Sequence, residues 1–182
     1  EFKFHVKLPI FVARQWIRHR TANVNEYSAR YSILEDEFYI PEIDALAAQS
    51  QSNKQGREES LPKEEAENVR SLILDNSEKT YELYQYLLNE EEYEKSDASR
   101  SKIARELSRI VIPTNVYTQW YWKIDLHNLF HFLSLRMDSH AQYEIREFAN
   151  IMAEMVKAAV PFAYEAFEDY RLNAMNLTRQ EI

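Results

Sequence analysis

Apolar residues at helical spacing predict three helices in the part of the chain that ends at Pro113. The first starts at Pro9, which suits the first turn of a helix, and carries Ile10, Ala13 and Ile17 on one face. The second is a long helix after Pro62, with a predicted inner face of Val69, Leu72, Ile73, Asn76, Leu83, Tyr84 and Leu87. The third is built on Ile103, Leu107, Ile110 and Val111, and Pro113 closes it.

Capping residues predict further helices toward the C-terminus. Asp125 suits the N-cap of a helix that runs through Leu135, and Ser139 with Gln142 resembles a capping box for the next helix. The core face of that next helix is predicted at Ile145, Phe148, Met152, Met155 and Val156. Pro161 either kinks this helix or starts a last one through Tyr170.

Two stretches alternate in the manner of strands. Residues 23–34 place Glu26, Ser28, Arg30 and Ser32 on one face and Asn25, Tyr27, Ala29, Tyr31 and Ile33 on the other. Residues 116–124 are aromatic and β-prone, and we expect them to pair with the first strand. Residues 49–60 are polar and contain Gly56, which predicts a surface loop, and residues 90–101 form a polar connector. The chain length suits a single domain over residues 1–182.

The composition narrows the chemistry. Gly56 is the only glycine and there is no cysteine. A glycine-rich phosphate loop is therefore excluded, and so are thiolate nucleophiles and cysteine-bound metal centres within these residues. A nucleotide phosphate would have to be held by side chains or helix N-termini.

Charge and hydropathy indicate a small anionic ligand rather than a nucleic acid or a membrane. The net charge is −8, yet residues 1–32 hold six Lys or Arg against two Glu, a local charge of +4. No apolar run approaches the roughly 20 residues that span a bilayer. We expect a cytoplasmic protein with a small basic site on an acidic surface.

A basic cluster is the first candidate site. Arg14, Arg18, His19, Arg20 and Arg30 could form a phosphate site, because guanidinium groups match phosphate oxygens in bidentate geometry. The alternative is a solvated, salt-bridged surface. Ser28 could be a nucleophile with His19 as its base, although a serine beside an arginine more simply hydrogen-bonds a phosphate.

The C-terminal half holds two other candidates. Arg136 shares a helical stripe with apolar residues, so its head group needs either an acid such as Asp138 or Glu144, or a bound anion. His127 and His131 have the i, i+4 spacing that can bind one metal ion, with His140 and Asp138 as loosely placed further ligands. The aromatic run Trp120-Tyr121-Trp122 could stack on a flat ring, but core packing is the favoured interpretation.

Two motifs resemble one enzyme family. The blocks Gln15-Trp16-Ile17-Arg18-His19-Arg20 and Asn25-Glu26-Tyr27-Ser28-Ala29-Arg30-Tyr31-Ser32 resemble the signature of flavin-dependent thymidylate synthases. Residues 133–145, which include Arg136, are similar to that family's C-terminal segment. The resemblance implies the family's α+β fold, an antiparallel sheet packed with long helices, and an N-terminal segment that precedes Glu1. This chain has Asp125, His127 and His131 where members often carry Asn, Arg and Asn.

The resemblance also implies ligand contacts. For dUMP these are Gln15, Trp16, Ile17, Arg18, Glu26, Tyr27, Ser28, Ala29, Arg30, Arg109 and Arg136, with Arg109 reaching the phosphate from a neighbouring subunit and Arg136 favouring the N3-ionised base. For FAD they are Arg18, His19, Arg20, Glu26, Asp125, Leu126, His127 and His131, which leaves no metal site.

The implied enzyme converts dUMP to dTMP. Methylenetetrahydrofolate supplies the carbon, reduced FAD the hydride, and NADPH restores the flavin. The absence of cysteine agrees, because the folate-only thymidylate synthases need a thiolate. The resemblance further implies a homotetramer with active sites at subunit interfaces. Two alternatives remain, a non-enzymatic nucleotide-binding module and a His-ligated metallohydrolase.

Overall fold

Three strands form the main sheet in the order β1-β5-β2 in the computed structural model, which describes residues 1–51, 56–175 and 179–180. β1 is Phe2–Pro9, β2 is Asn23–Glu26 and β5 is Tyr117–Ile124. A separate hairpin consists of β3, Ala47–Gln49, and β4, Arg57–Ser60. The predicted α+β fold with antiparallel strand pairing is confirmed.

β1 is a strand that the sequence interpretation missed. Its residues alternate, so that Lys3, His5 and Lys7 are exposed while Val6 and Leu8 are buried. This period of two is the usual mark of a half-buried strand. The proline at its end allows the chain to pass directly into a helix.

The predicted pairing of residues 23–34 with residues 116–124 is confirmed, but the first strand is much shorter. β2 pairs antiparallel with β5 and ends at Glu26. The N–H groups of Tyr31 and Ser32 both donate to the carbonyl of Ser28, so the chain turns back on itself there. The prediction that Ser28 and Arg30 lie on a strand face is therefore wrong.

The inner face of β5 belongs to the core. Trp120 and Trp122 are buried, and Trp16 meets both rings edge-on at 5.8 and 5.3 Å between centroids. The core interpretation is confirmed for these two tryptophans, whereas Tyr121 is exposed on the opposite face. Trp16 ends α1, Ile10–Trp16, which buries Val12, Ala13 and Trp16 rather than the predicted face with Ile17.

Residues 49–60 are more ordered than a loop. The β3–β4 hairpin, preceded by a 3₁₀ turn at Ile43–Ala45, occupies the described part of this stretch. Residues 52–55 of the predicted loop lie outside the described residues.

The long helix is confirmed as α2, Lys63–Leu88, but its inner face differs from the predicted one. Its buried residues are Ala66, Ser77, Tyr81, Tyr84 and Leu88, while Leu72 and Leu83 are exposed. The helix ends at Asn89, whose left-handed backbone (φ 50°) closes the last turn. The polar connector after it is confirmed, and the helix predicted before Pro113 is shortened to α3, Arg105–Ser108, followed by a 3₁₀ turn, Arg109–Val111.

The C-terminal helices are α4, Leu126–Arg136, α5, Tyr143–Ala159, and α6, Pro161–Phe167, followed by a π turn, Glu168–Leu172. Asp125 is confirmed as the N-cap of α4, because its carboxylate accepts from the N–H of Asn128 at 3.0 Å. The Ser139 capping box is wrong, since α5 begins at Tyr143 after Gln142, which makes no side-chain capping bond. The core residues Ile145, Met152 and Val156 are confirmed, and Met155 is exposed.

The chain divides into two compact units. One is Lys3–Lys123, and the other is Ile124–Ile182 with Glu1–Phe2. The prediction of a single domain is not decided by such a division and stays a prediction. Within the described residues, no helix has the length and apolar character that crossing a membrane requires.

Candidate active site

A cleft with a volume of about 320 Å³ opens in the unit Lys3–Lys123. Its described lining is residues 26–30 with Ile10, Leu34, Arg109, Ile112 and Thr118. All five residues predicted from the second motif are therefore on one cleft. Its polar side chains are two arginines, one carboxylate and two hydroxyls besides Tyr27, a set suited to a ligand that is anionic at one end and carries hydroxyl groups.

Glu26 is held in place by Thr118. The hydroxyl of Thr118 donates to Oε1 of Glu26 at 2.8 Å, across the pairing of β5 with β2. Thr118 is buried on the inner face of β5, where its neighbours along that face are tryptophans. The sequence interpretation missed Thr118, although a polar residue at a core position of a strand was a visible signal.

Ser28 and Arg30 reach the cleft through the turn and not through a strand period. Oγ of Ser28 accepts from the backbone N–H of Arg30 at 3.4 Å and from its Nε at 3.5 Å. A serine oxygen that already accepts from a guanidinium is poorly placed to be deprotonated by a base, and well placed to join that guanidinium on an anion. The ligand interpretation of Ser28 is thus better supported than the nucleophile.

Arg109 lines the same cleft of the same chain as Arg30. It belongs to the 3₁₀ turn after α3, and its Nε donates to the carbonyl of Glu106 at 3.2 Å. The resemblance implies that Arg109 reaches the phosphate from a neighbouring subunit, and that placement stays a prediction. Arg14, Arg18 and Arg20 are exposed and are not part of the cleft lining, so the basic cluster divides.

The first motif lies at the end of α1. Trp16 is fully buried, and its predicted contact with dUMP stays a prediction. Ile17, Arg18 and Arg20 are exposed, and His19 is half-buried. Oε1 of Gln15 is buried and accepts no hydrogen bond from any residue that the structure describes. A buried acceptor of this kind is costly unless a ligand or water donates to it.

The remaining predicted residues belong to the C-terminal unit. The pKa of Asp125 is lowered, chiefly by the side chain of Asn128, whose Nδ2 donates at 2.6 Å. Leu126 is half-buried, and His127 and His131 are exposed on α4. Across the described residues, no group of three or more His, Asp or Glu side chains is placed to hold a metal ion.

Arg136 ends α4 in a partly desolvated position. Burial lowers the pKa of its guanidinium. Two acids near it in sequence were considered as partners: Asp138 accepts from the N–H of His140 at 2.8 Å, and Glu144 accepts from Gln142 at 2.9 Å, and neither bond excludes an ion pair with Arg136. A guanidinium whose charged form is disfavoured by desolvation gains most from an anionic ligand.

Comparison with known proteins identifies the family. The model of the thymidylate synthase complementing protein family matches residues 1–162. The chain belongs to this family. Relatives named flavin-dependent thymidylate synthase include one from Ruegeria pomeroyi, 58% identical over 182 residues, and one from Rickettsia conorii, 59% identical over 182 residues. These alignments cover 100% and 99% of this chain but 58% and 62% of the relatives, so the chain spans about three fifths of their length.

Solved structures agree with the family assignment. The UMP/dUMP methylase PolB from Streptomyces cacaoi, with bound 5-Br UMP, superposes with a TM-score of 0.83 at 32% identity, over 95% of this chain and 75% of that one. The same enzyme with bound 5-Br dUMP gives a TM-score of 0.79 at 31% identity, over 93% and 71%. The resemblance to flavin-dependent thymidylate synthases and the fold of the thymidylate synthase complementing protein family are both confirmed.

Proposed function

We propose that the chain forms part of a flavin-dependent thymidylate synthase that converts dUMP to dTMP. One observation supports this most directly: a single cleft is lined by Arg30, Arg109, Ser28 and Glu26. Two guanidinium groups suit a phosphate monoester, and a fixed carboxylate suits the hydroxyl of a sugar. The relatives named flavin-dependent thymidylate synthase and the PolB complexes with brominated nucleotides support the same ligand class.

Different cleft residues bind different parts of the nucleotide. In our proposal, Arg30 and Arg109 bind the phosphate, and Ser28 hydrogen-bonds it beside Arg30. Glu26, oriented by Thr118, accepts from the nucleotide and also borders the flavin. Backbone and side chains of Tyr27 and Ala29 complete the contact. Buried Ala29 and Leu34 also line the cleft, and we expect them to restrict the orientation of the bound nucleotide.

Activation of the pyrimidine is electrostatic in this proposal. These residues contain no cysteine, so they provide no thiolate for addition to the ring. Arg136, partly desolvated and basic, stabilises the N3-ionised pyrimidine as a hydrogen-bond donor. The role of Arg136 is to hold negative charge on the base while the carbon from methylenetetrahydrofolate is transferred to C5.

Each unit contributes residues that we propose as contacts of FAD. In the unit Lys3–Lys123, Arg18 and Arg20 are exposed cations that suit a pyrophosphate. In the other unit, His127 and His131 are exposed and can hydrogen-bond a ligand. Gln15, whose buried Oε1 lacks a described donor, stays a proposed contact of dUMP. Bound FAD, once reduced, would supply the hydride, and NADPH would reduce the flavin again. His19, Asp125 and Leu126 are the further proposed contacts.

We also propose a cytoplasmic homotetramer with active sites at subunit interfaces and with small molecules, not nucleic acids, as ligands. Each unit exposes large apolar side chains: Ile110 is 76% exposed in one and Phe162 is 87% exposed in the other. Such residues are typical of surfaces that other protein chains cover.

The deciding experiment is spectroscopic. Purified protein is expected to be yellow, to lose its flavin absorbance with NADPH, and to form dTMP when dUMP and methylenetetrahydrofolate are added. Protein that binds dUMP but neither FAD nor folate would indicate the nucleotide-binding module. Colourless protein with stoichiometric zinc would instead indicate the metallohydrolase.

A further inference from the structure

The segment of residues 27–34 carries Ser28 and Arg30 but is neither helix nor strand. Its first end is fixed to the sheet, because the N–H of Tyr27 donates to the carbonyl of Gln119 at 2.9 Å. A turn that begins at Ser28 follows. The position of the two ligand-facing side chains therefore depends on what holds the second end of the segment.

Two tyrosines of α2 hold that second end. The N–H of Leu34 donates to Oη of Tyr84 at 3.1 Å, and the carbonyl of Leu34 accepts from Oη of Tyr81 at 2.9 Å. Both hydrogen bonds are buried, Tyr84 is 0% exposed and Tyr81 is 8% exposed. The hydroxyls thus occupy both backbone hydrogen-bonding groups of one residue, as a neighbouring strand would.

The environment keeps both hydroxyls protonated. Burial is the main cause that raises the pKa of Tyr81 to about 12, and burial also raises the pKa of Tyr84. Tyr81 therefore remains a donor throughout the neutral and mildly alkaline range. The ring centroids of the two tyrosines are 5.8 Å apart, so each restricts the other.

The same contacts form the floor of the cleft. Ala29, Leu34, Tyr81, Tyr84 and Leu88 make one buried cluster. Ala29 and Leu34 also line the cleft directly. A shift of Leu34 therefore moves the residue between Ser28 and Arg30, because Ala29 packs in the same cluster.

A third anchor acts from the protein surface. Nη1 of Arg105 donates to the carbonyl of Tyr31 at 2.9 Å, and Nη2 of the same side chain bonds Glu90 at 2.7 Å. Arg105 starts α3, which leads directly to the turn with Arg109.

We propose that Tyr81 and Tyr84 are positioning residues for nucleotide binding: they hold the peptide groups of Leu34 and so set Ser28 and Arg30 in the cleft with Arg109. This inference rests on the proposed function, because the ligand whose binding it concerns is dUMP. Neither tyrosine touches the nucleotide. They act on affinity through the backbone of residues 27–34.

The test uses substitutions that remove only a hydroxyl. Tyr81→Phe and Tyr84→Phe are expected to raise the KM and the calorimetric Kd for dUMP about tenfold, the effect of losing one well-oriented contact. The kcat at saturating dUMP and the flavin absorbance spectrum are expected to match the wild type. Tyr86→Phe is the matched control, because Tyr86 is on the same helix but 51% exposed, and its KM should not change.

Arg105→Gln provides a second route to the same segment if a tyrosine variant folds poorly. Arg105 is partly exposed, and this substitution removes its hydrogen bond to the carbonyl of Tyr31. The KM of the variant for dUMP should rise while its kcat does not. A lower Tm with wild-type KM in folded variants would overturn the proposal and leave the tyrosines a purely structural role. If wild-type protein does not bind dUMP, the proposed function fails instead, and the two failures are thereby distinguished.

Discussion

Asn89 provides a sharp test of the packing at the end of α2, because its backbone closes the helix and its side chain organises the connector. Its amide nitrogen donates to the carbonyls of Asp97 and Arg100, both at 2.8 Å. Its amide oxygen accepts from the N–H of Asp97 at 2.9 Å and from Nη2 of Arg100 at 2.6 Å. Asn89 also adopts φ 50°, a conformation that asparagine tolerates better than alanine.

Asn89→Ala is expected to lower the free energy of unfolding by about 3 kcal/mol. About 1 kcal/mol of this is backbone strain from a β-carbon in the left-handed region. The remaining ~2 kcal/mol is the loss of the hydrogen bonds, reduced because water reaches some of the released groups. Asn89→Gly removes the same bonds without the strain, so it should cost about 2 kcal/mol.

The free energy of unfolding of both variants is measured by urea unfolding, which is followed by circular dichroism. The variants are compared through their urea midpoints at a common m-value. Asn76→Ala is the control, because Asn76 is an exposed position on the same helix and should shift stability by less than about 0.5 kcal/mol. An alanine variant as stable as the glycine variant would refute the strain contribution. A glycine variant as stable as wild type would refute the hydrogen-bond contribution.

Four other predictions concern the site and its supports. Arg109→Ala should raise the Kd for dUMP about 10- to 100-fold in calorimetry, the usual value of a charge-assisted contact, and leave FAD binding intact. Arg136→Ala should lower kcat by at least about 100-fold with the flavin still bound, and unchanged dTMP formation would contradict its role. Ser28→Ala should weaken dUMP binding but keep measurable turnover, whereas total loss with dUMP bound would revive the nucleophile. The hydrogen bond from Arg105 is the main cause that lowers the pKa of Glu90 from 4.5. The ionised Glu90 therefore stabilises the folded protein above pH 4.5, and this stabilisation is lost as the pH falls below that value. In Glu90→Gln, the urea midpoint should depend less on pH in the acid range.

Sequence patterns predicted elements where one physical signal dominated. The strand that became β5 was recognisable because its aromatic and β-branched residues alternate. The N-cap at Asp125 was recognisable because a short acidic side chain precedes an apolar helix. β1 alternates as clearly but was not predicted, because its apolar end runs without a break into the apolar start of α1.

Other features depend on contacts that no local pattern reports. The sequence of residues 27–34 alternates like a strand, but the segment forms a turn and its Leu34 bonds tyrosine hydroxyls instead of a neighbouring strand. The predicted inner face of α2 included Leu72 and Leu83, which are exposed, and omitted Ala66 and Ser77, which are buried. When a helix has apolar residues on two sides, its sequence does not show which side packs against the rest of the protein.

The candidate site was predicted unevenly for a similar reason. Residues 26–30 and Arg109 were assigned through family resemblance, and the cleft brings them together. The contribution of Thr118 depends on the register of β2 against β5, and register is not visible in either strand alone.

The side-chain anchoring of the cleft has a consequence for the order in which the protein folds. Leu34 is 50 positions from Tyr84, and Glu26 is 92 positions from Thr118. Contacts this distant in sequence form late, because closing a long loop costs entropy before the contact contributes any favourable free energy. α2 can form from local hydrogen bonds on a much faster timescale. During synthesis, Ser28 and Arg30 therefore leave the ribosome early but acquire their binding geometry only after β5 has been made.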